Sequence, residues 1–182
     1  MDNGASSYRR FLRGDESAFD ELIKTYRESL AFFINRYVDD PMTAEDLAID
    51  TFLELLIHRH RYLGKCSFKT YLFTIGRNKA IDYLRAKKRK TTVSLEDAVP
   101  ELPTETSPEE SIFRDERARL VNDAIETLPH DMRIAIHLIY FEELSYEDAA
   151  KVMKISRKQV DNLIYRGKGM LRSILGEEEE FL

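Results

Sequence analysis

Apolar side chains recur every three or four residues along most of the chain, the spacing that places them on one face of an α-helix. The first run predicts a helix over residues 15–38, after a polar start at residues 1–14 that carries no pattern and is expected to be frayed. Its predicted core positions are Phe19, Leu22, Ile23, Tyr26, Leu30, Phe33, Ile34 and Tyr37. The DDP sequence at residues 39–41 ends this helix, because proline breaks the hydrogen-bond ladder.

Two further helices are predicted in the first half of the chain. One covers residues 44–60 and is opened by Thr43, with Asp46 three residues later. The other covers residues 68–90, after a break at residues 62–67. The predicted buried positions are Leu47, Phe52, Leu55 and Leu56 in the first, and Leu72, Ile75, Ala80, Tyr83 and Leu84 in the second.

The second half of the chain begins with an acidic, proline-containing stretch, residues 91–107, that predicts an extended linker. Helices are then predicted over residues 108–127 and 129–142. The predicted buried positions of the latter are Ile134, Ile136, Leu138, Ile139 and Phe141.

Two more helix starts lie only eleven residues apart, at Ser145 and Ser156. Each serine is followed three residues later by a partner suited to a capping box, Asp148 and Gln159. This spacing leaves room for a short helix, a tight turn and a second helix, which is the arrangement of a helix-turn-helix. Lys154 falls in the turn, where a left-handed conformation costs a residue other than glycine roughly 1 to 2 kcal/mol.

The fold class predicted from these patterns is all-α, with two small helical domains joined by a flexible acidic linker. The predicted divisions are residues 1–90, a linker at 91–107, a second domain at 108–176 that contains the helix-turn-helix, and an acidic tail at 177–182.

The last helix is two-sided. Val160, Leu163, Ile164, Leu171 and Ile174 form its inward face. The opposite face carries cations and amides, the side chains that read guanine and adenine in the major groove of DNA. This polar set is Arg157, Lys158, Gln159, Asn162, Arg166 and Lys168. From this stretch alone, a solvated face on an ordinary helical hairpin remains an alternative.

The net charge of −5 hides two basic islands. Residues 53–90 hold 11 basic and 2 acidic side chains, and residues 151–172 hold 7 and 1. Residues 91–127 between them hold 3 basic and 10 acidic side chains. Two islands separated by an acidic bridge predict two contacts with a polyanion, with acidic surfaces left for another partner.

Other site types find little support in the sequence. Cys66 is the single cysteine, which excludes an internal disulfide and a multi-cysteine zinc site. His58 and His60 lie two residues apart on a predicted helix and would point about 200° apart, so they cannot converge on one metal. With no apolar run of membrane-spanning length and no signal-peptide core, a cytoplasmic protein is expected. No cofactor is predicted.

Three stretches of the chain, taken in order, resemble a bacterial sigma factor of the extracytoplasmic-function (ECF) group, in the sigma-70 family. AEDLAIDTFLELL at residues 44–56 resembles the region 2.2 helix that binds the clamp helices of the polymerase beta-prime subunit. SFKTYLFTIGRNKAIDYLR at residues 67–85 resembles regions 2.3 and 2.4, which melt and recognise the minus-10 promoter element. Residues 128–175 resemble region 4, which reads the minus-35 element and binds the beta flap.

The resemblance implies a function and assigns residues to it. The chain would bind core RNA polymerase, direct promoter-specific initiation and help to melt promoter DNA. The residues implied to bind core polymerase are Glu45, Asp46, Leu47, Asp50, Phe52 and Leu53. The residues implied to bind minus-10 DNA are Lys65, Ser67, Phe68, Tyr71, Arg77, Asn78, Asp82, Arg85 and Lys88, and the polar set of the last helix would bind minus-35 DNA. The loop at residues 65–67 would capture a flipped base.

The chain departs from the family pattern at Ile49 (usually Gln), Tyr71 (usually Trp), residues 148–150 (usually Glu-Ile-Ala) and Lys154 (usually Gly). These departures affect the promoter sequence rather than the class. An anti-sigma protein is a further partner that the resemblance implies. Two alternative functions explain fewer features of the sequence. A dimeric helix-turn-helix repressor leaves residues 44–85 unexplained. An enzyme acting on nucleic acid would need a convergent catalytic cluster, which the sequence lacks.

Overall fold

The structure, a computed structural model, describes residues 4–93 and 115–176, with side chains for residues 4–89 and 119–176. Every regular element in these ranges is helical, which confirms the predicted fold class. The helices are α1 (Ala5–Leu12), α2 (Ser17–Val38), α3 (Pro41–Ile57), α4 (Phe68–Val93), α5 (Asp115–Glu126), α6 (His130–Ile136), α7 (Tyr146–Met153) and α8 (Arg157–Leu175). A π-helical turn, His137–Phe141, extends α6.

Helix α2 is the centre of the first group of helices, because α1, α3 and α4 all pack against it. Its buried stripe includes Leu22, Leu30, Phe33 and Ile34, as the periodicity predicts. Gly76 lets α4 approach closely, since a Cβ at this position would lie 2.8 Å from a methyl carbon of Leu30.

The prediction of a frayed start is wrong for the described residues. Helix α1 forms there, and it buries Tyr8 and Phe11 against the first group of helices. Only two of its eight residues are inward-facing aromatics, which is too short a pattern to reveal a helix from periodicity. The helix is stabilised by long-range packing instead.

Helix α3 starts earlier than predicted, at Pro41. The side chain of Asp40 accepts a hydrogen bond from the main-chain N–H of Met42, and proline at the first helical position needs no hydrogen-bond partner for its nitrogen. Thr43, predicted to open the helix, instead donates its hydroxyl to Asp40. The helix ends at Ile57, three residues before the predicted end.

Helices α5 to α8 form the second group. Gly167 lets α8 approach α6 closely, since a Cβ at this position would lie 2.9 Å from a methyl carbon of Ile136. Of the predicted core positions, Phe141 and Ile174 are 45% and 50% exposed, so the prediction that they are buried is wrong. Both lie in the last turn of their element.

The helix-turn-helix has the predicted caps. The Ser145 side chain accepts from the N–H of Asp148, and Ser156 forms a complete capping box with Gln159. Lys154 has φ 57° and ψ 42°, the left-handed conformation that was predicted to be strained.

The two groups of helices pack against each other, α4 against α7 and α2 against α6. Arg36 of α2 forms an ion pair with Glu126 of α5, and the ring of Tyr37 meets His130 edge-on with centroids 5.2 Å apart. The predicted linker and acidic tail, apart from residues 91–93 at the end of α4, lie outside the described residues. In the described ranges no helix is both long and apolar enough to cross a membrane.

Candidate nucleic-acid interface

Helix α3 carries two apolar stripes, and only one can face the core. Ala44, Ala48, Phe52 and Leu55 form the buried stripe. The outward stripe of large apolar side chains is 44–80% exposed and contains Met42, Ile49, Leu53, Leu56 and Ile57. Such an exposed row on a helix indicates a binding surface for another protein.

The residues predicted to bind polymerase divide between these faces. Asp46, Asp50 and Leu53 are exposed, and Glu45 and Leu47 are half-buried. Glu45 is paired with Arg27 of α2 at 3.0 Å.

Phe52 requires a correction, because it is 5% exposed and packs edge-on against Phe19 with ring centroids 6.3 Å apart. It is a core residue, and a direct contact with a partner would require it to leave the core. Leu56, predicted to be buried, lies on the outward stripe instead.

The loop before α4 is held in a defined shape. Ser67 caps α4, since its Oγ accepts a hydrogen bond from the N–H of Thr70 at 3.0 Å. Lys65 and Ser67 are exposed. Tyr71 is half-buried, and its ring centroid lies 5.1 Å from that of Tyr62. The loop therefore offers a cation, a hydroxyl and the edge of an aromatic pair.

Phe68 does not belong to this accessible set. It is 1% exposed and is surrounded by the rings of Tyr8, Tyr26 and Tyr62. The resemblance implies that Phe68 binds minus-10 DNA, but in the structure its ring packs in the helical core. Its side chain is therefore not available to a base.

The polar stripe of α4 lines a cleft of about 790 Å³ that α3 borders on its other side. Arg77, Asn78, Asp82 and Arg85 all line it. Arg85 and Asp82 are exposed and 3.4 Å apart, which is a weak surface pair.

Arg77 lies beside the hydroxyl of Tyr37, whose pKa burial raises to about 12 despite the opposing effect of the Arg77 charge. Lys88, the last residue predicted for this surface, is exposed further along α4.

The outer face of α8 is accessible as predicted. Arg157, Lys158, Asn162 and Arg166 are exposed. Gln159 is also exposed, but its amide oxygen accepts from the N–H and the hydroxyl of Ser156 at 2.8 and 2.9 Å, so only its NH₂ group is left to bind a base. Lys168 lies over the ring of Tyr140, 5.1 Å from the centroid. An exposed, cationic helix face of this kind fits the major groove.

A buried ionic cluster that no sequence pattern predicted joins the two groups of helices. The Nζ of Lys69 lies 2.7 Å from both the Oε2 and the main-chain oxygen of Glu142. His137, 3% exposed, places its Nε2 3.2 Å from Oε1 of the same carboxylate. The π-helical turn brings His137 and Glu142 together, because the N–H of Glu142 donates to the carbonyl of His137, five residues earlier.

The electrostatics of this cluster follow from its burial. Burial alone would raise the pKa of Glu142, but contacts with His137 and Lys69 outweigh it and hold the pKa below its ordinary value. Burial lowers the pKa of His137, and the charges of Arg36 and Lys69 add to this effect. The imidazole is therefore neutral near pH 7, and the carboxylate is paired with Lys69.

Comparisons with known proteins show which family the chain resembles. Sigma-70 region 2 matches residues 22–90, and Sigma-70 region 4 matches residues 118–171. The chain is 35% identical over 167 residues to the RNA polymerase sigma-H factor of Pseudomonas aeruginosa, covering 87% of this chain and 86% of that protein. It is 31% identical over 175 residues to the ECF RNA polymerase sigma-E factor of Haemophilus influenzae, covering 90% of each.

Solved structures show the same fold. The sigma factor RpoE, in complex with the anti-sigma factor NepR from Bartonella quintana, matches with a TM-score of 0.70 at 24% identity, covering 88% of this chain and 98% of that one. CnrH, in complex with the cytosolic domain of CnrY, matches with a TM-score of 0.60 at 21% identity, covering 95% and 94%.

The chain therefore belongs to the sigma-70 family of RNA polymerase sigma factors, a family of DNA-binding factors for transcription initiation. Within it, the relatives place the chain in the extracytoplasmic-function group. Its function is to bind core RNA polymerase and promoter DNA and to direct promoter-specific initiation of transcription.

Proposed function

We propose that three surfaces of this chain divide the work of a promoter-specificity factor, which performs no bond chemistry of its own. The outward stripe of α3 binds core polymerase, the loop at residues 58–67 with α4 opens and reads the minus-10 element, and the outer face of α8 reads the minus-35 element. The observation that supports this division best is that the two basic islands lie on the α4 and α8 surfaces, whereas α3 is acidic and apolar outside.

The α3 surface suits a protein partner. Leu53 and Ile49, 48% and 47% exposed, stand beside the exposed carboxylates of Asp46 and Asp50. Apolar side chains supply the contact area, and the carboxylates select a basic or amide-rich partner surface and repel DNA phosphate. Phe52 contributes from beneath by fixing the position of α3.

The minus-10 surface combines cations with a shaped loop. Lys65 and Ser67 contact a base that has left the duplex, and Arg77 and Arg85 hold the sugar-phosphate backbone along α4. Unstacking a base costs a few kcal/mol, which contacts in the loop must return. Tyr71 and Tyr62 offer an aromatic pair on which a neighbouring unpaired base can stack.

The minus-35 surface is read through the major groove. Arg157 and Lys158, in the first turn of α8, approach phosphates or guanine, and Asn162 one turn later approaches adenine. Asp161, exposed on the same helix, repels phosphate or accepts from the amino group of cytosine.

Reading both elements requires the two groups of helices to separate. Element centres about 25 base pairs apart are about 85 Å apart at 3.4 Å per base pair. In the structure α7 instead packs directly against α4, with Asp148 beside Thr70. Binding to polymerase replaces this internal contact, so that neither DNA surface works fully in the free protein.

An anti-sigma protein is the further partner that we propose, acting on the polymerase-binding and DNA-binding surfaces. The support is the likeness of fold to a sigma factor solved with such a partner. The site of action is the cytoplasm, where polymerase and promoter DNA are found.

The test is in vitro transcription with purified core polymerase on a library of random promoters. We expect discrete start sites that depend on the protein, with two conserved elements upstream. Asp46→Lys with Leu53→Asp should abolish core binding and transcription, whereas Asp20→Lys, an exposed charge reversal on α2, should not. Start sites that persist with the α3 variant would contradict the assignment of α3, and no start sites with any protein would contradict the division of surfaces as a whole.

A further inference from the structure

Helix α1 lies outside the matched family regions, which begin at residue 22, yet it is firmly packed. Tyr8 is 0% exposed and Phe11 is 6% exposed. Gly4, with φ 97°, places the start of α1 so close to α4 that a Cβ would lie 2.7 Å from the ring of Phe68. Helix α1 therefore packs closely against Phe68, the residue that follows the loop at residues 58–67.

Tyr8 contacts both ends of this loop. Its hydroxyl donates to the main-chain oxygen of Arg59 at 2.7 Å, where the loop begins. Its ring centroid lies 4.9 Å from that of Phe68, where the loop ends. A single side chain, 51 residues away in sequence from Arg59, thus fixes the distance between the two ends.

Tyr62 holds the loop from within. Its hydroxyl donates to the main-chain oxygen of Cys66 at 2.7 Å, and its ring meets Tyr8 edge-on with centroids 5.5 Å apart. Two partly buried hydroxyl contacts on main-chain oxygens leave the exposed side chains of Lys65 and Ser67 on a backbone of defined shape. Burial raises the pKa of Tyr8 to about 12, so its hydroxyl stays protonated and keeps donating at physiological pH.

We propose that α1 braces the base-capturing loop, with Tyr8 and Tyr62 as positioning residues for minus-10 recognition. The proposal rests on the proposed role of this loop in binding an unpaired base. The physical reason is preorganisation: a loop already held in its bound shape loses less conformational freedom when DNA arrives. Neither tyrosine hydroxyl needs to touch DNA.

The test uses the full chain bound to core polymerase and a pool of random-sequence single-stranded DNA. Tyr8→Phe removes one oxygen and keeps the ring that packs against Phe68. Loss of one neutral hydrogen bond should weaken single-strand binding roughly fivefold. Tyr8→Phe should also reduce the base preference at one position of the selected sequences. Binding to core polymerase and selection of a duplex minus-35 element should not change.

Hydrogen exchange provides a readout that does not depend on DNA. In Tyr8→Phe, main-chain amides of residues 58–67 should exchange faster, and those of α2 should not. The matched control is Ser7→Ala on the same helix, which removes a hydrogen bond of 3.1 Å to Glu21 of α2 without touching the loop. Tyr62→Phe should reproduce both effects of Tyr8→Phe.

The outcomes separate the two levels of the proposal. Unchanged exchange in both tyrosine variants would overturn the brace. Faster exchange with unchanged single-strand selection would overturn its role in recognition. If wild-type holoenzyme shows no base preference in single-stranded DNA, the loop does not capture a base. The proposed role of the loop and the proposed role of its brace then both fail. Transcription from duplex promoters would still test the α3 and α8 surfaces.

Discussion

Replacement of Glu142 by glutamine should loosen the packing of the two groups of helices. The side chains of Lys69 and Glu142 are 14% and 4% exposed, so their contact is little screened by water. Glutamine keeps the size of the side chain and the main-chain oxygen that Lys69 also contacts, but it removes the negative charge. The substitution therefore leaves a partly buried lysine without its counter-charge.

The expected change in packing free energy follows from the interactions that Glu142→Gln keeps and those that it removes. Removing one partner of a buried ion pair costs about 3–5 kcal/mol, and a hydrogen bond to a charged group contributes about 1.5–3 kcal/mol. Because Lys69 keeps one acceptor and glutamine supplies another, we expect about 2 kcal/mol. This changes the equilibrium between packed and separated domains about 30-fold.

Energy transfer between two fluorophores measures this equilibrium. Cysteines at Met42 and Tyr165, 80% and 81% exposed, carry the labels in a chain with Cys66→Ser. Glu142→Gln should increase the low-transfer population, and Glu143→Gln should not. Glu143 is an exposed neighbour with φ 52°, so the control retains the same backbone strain.

A double replacement tests the reasoning directly. Lys69→Met with Glu142→Leu removes both charges, so it should recover part of the lost packing, because no unpaired charge remains buried. Equal transfer in wild type, Glu142→Gln and Glu143→Gln would show that the ion pair contributes nothing to the packing of the two groups of helices.

Three further outcomes are expected. Acidification should separate the two groups of helices. Because the pKa of Glu142 is lowered, its contribution to packing is present above about pH 4.5 and is lost as the pH falls through the folded value of that pKa. Because the pKa of His137 is lowered, protonation of its imidazole below about pH 6.5 opposes packing, so the same fluorescence assay should show opening from pH 7 to 4. Ser156→Ala should destabilise α8 by about 1 kcal/mol, because it removes the N-cap. It should also weaken minus-35 binding in a duplex titration, whereas Ser173→Ala, at the far end of α8, should change neither stability nor binding appreciably. Gly76→Val should lower the free energy of unfolding in urea by about 1–3 kcal/mol, because even a Cβ would lie 2.8 Å from Leu30, and an unchanged unfolding midpoint would contradict the close approach of α2 and α4.

Local signals in the sequence determined much of the fold. The serines at 145 and 156 set the starts of α7 and α8, because a cap acts on main-chain groups within a few residues. The long apolar stripe of α2 gave its buried face, and the DDP sequence at residues 39–41 gave its end at Val38. The left-handed turn at Lys154 followed from the short distance between the two capped helices.

The tertiary structure decided which of several apolar positions are buried. In α3 both Phe52 and Leu53 are apolar, and only the position of α2 relative to α3 determines that Phe52 is buried and Leu53 exposed. Phe68 was equally ambiguous, since the same aromatic side chain could stack on DNA or fill a core. Hydrophobic periodicity reports that a face is apolar, but it does not say which neighbour covers that face.

The contacts that join distant parts of the chain were also beyond the sequence. Tyr8 meets Arg59 across 51 residues, and Lys69 meets Glu142 across 73. Each residue has an ordinary local environment in the sequence, with no spacing that links it to its partner. The sequence by itself determined the class of protein, most of its helices and its two basic islands, because these depend on local patterns. Only the folded chain could show the braced loop and the buried ion pair, because both depend on which surfaces meet.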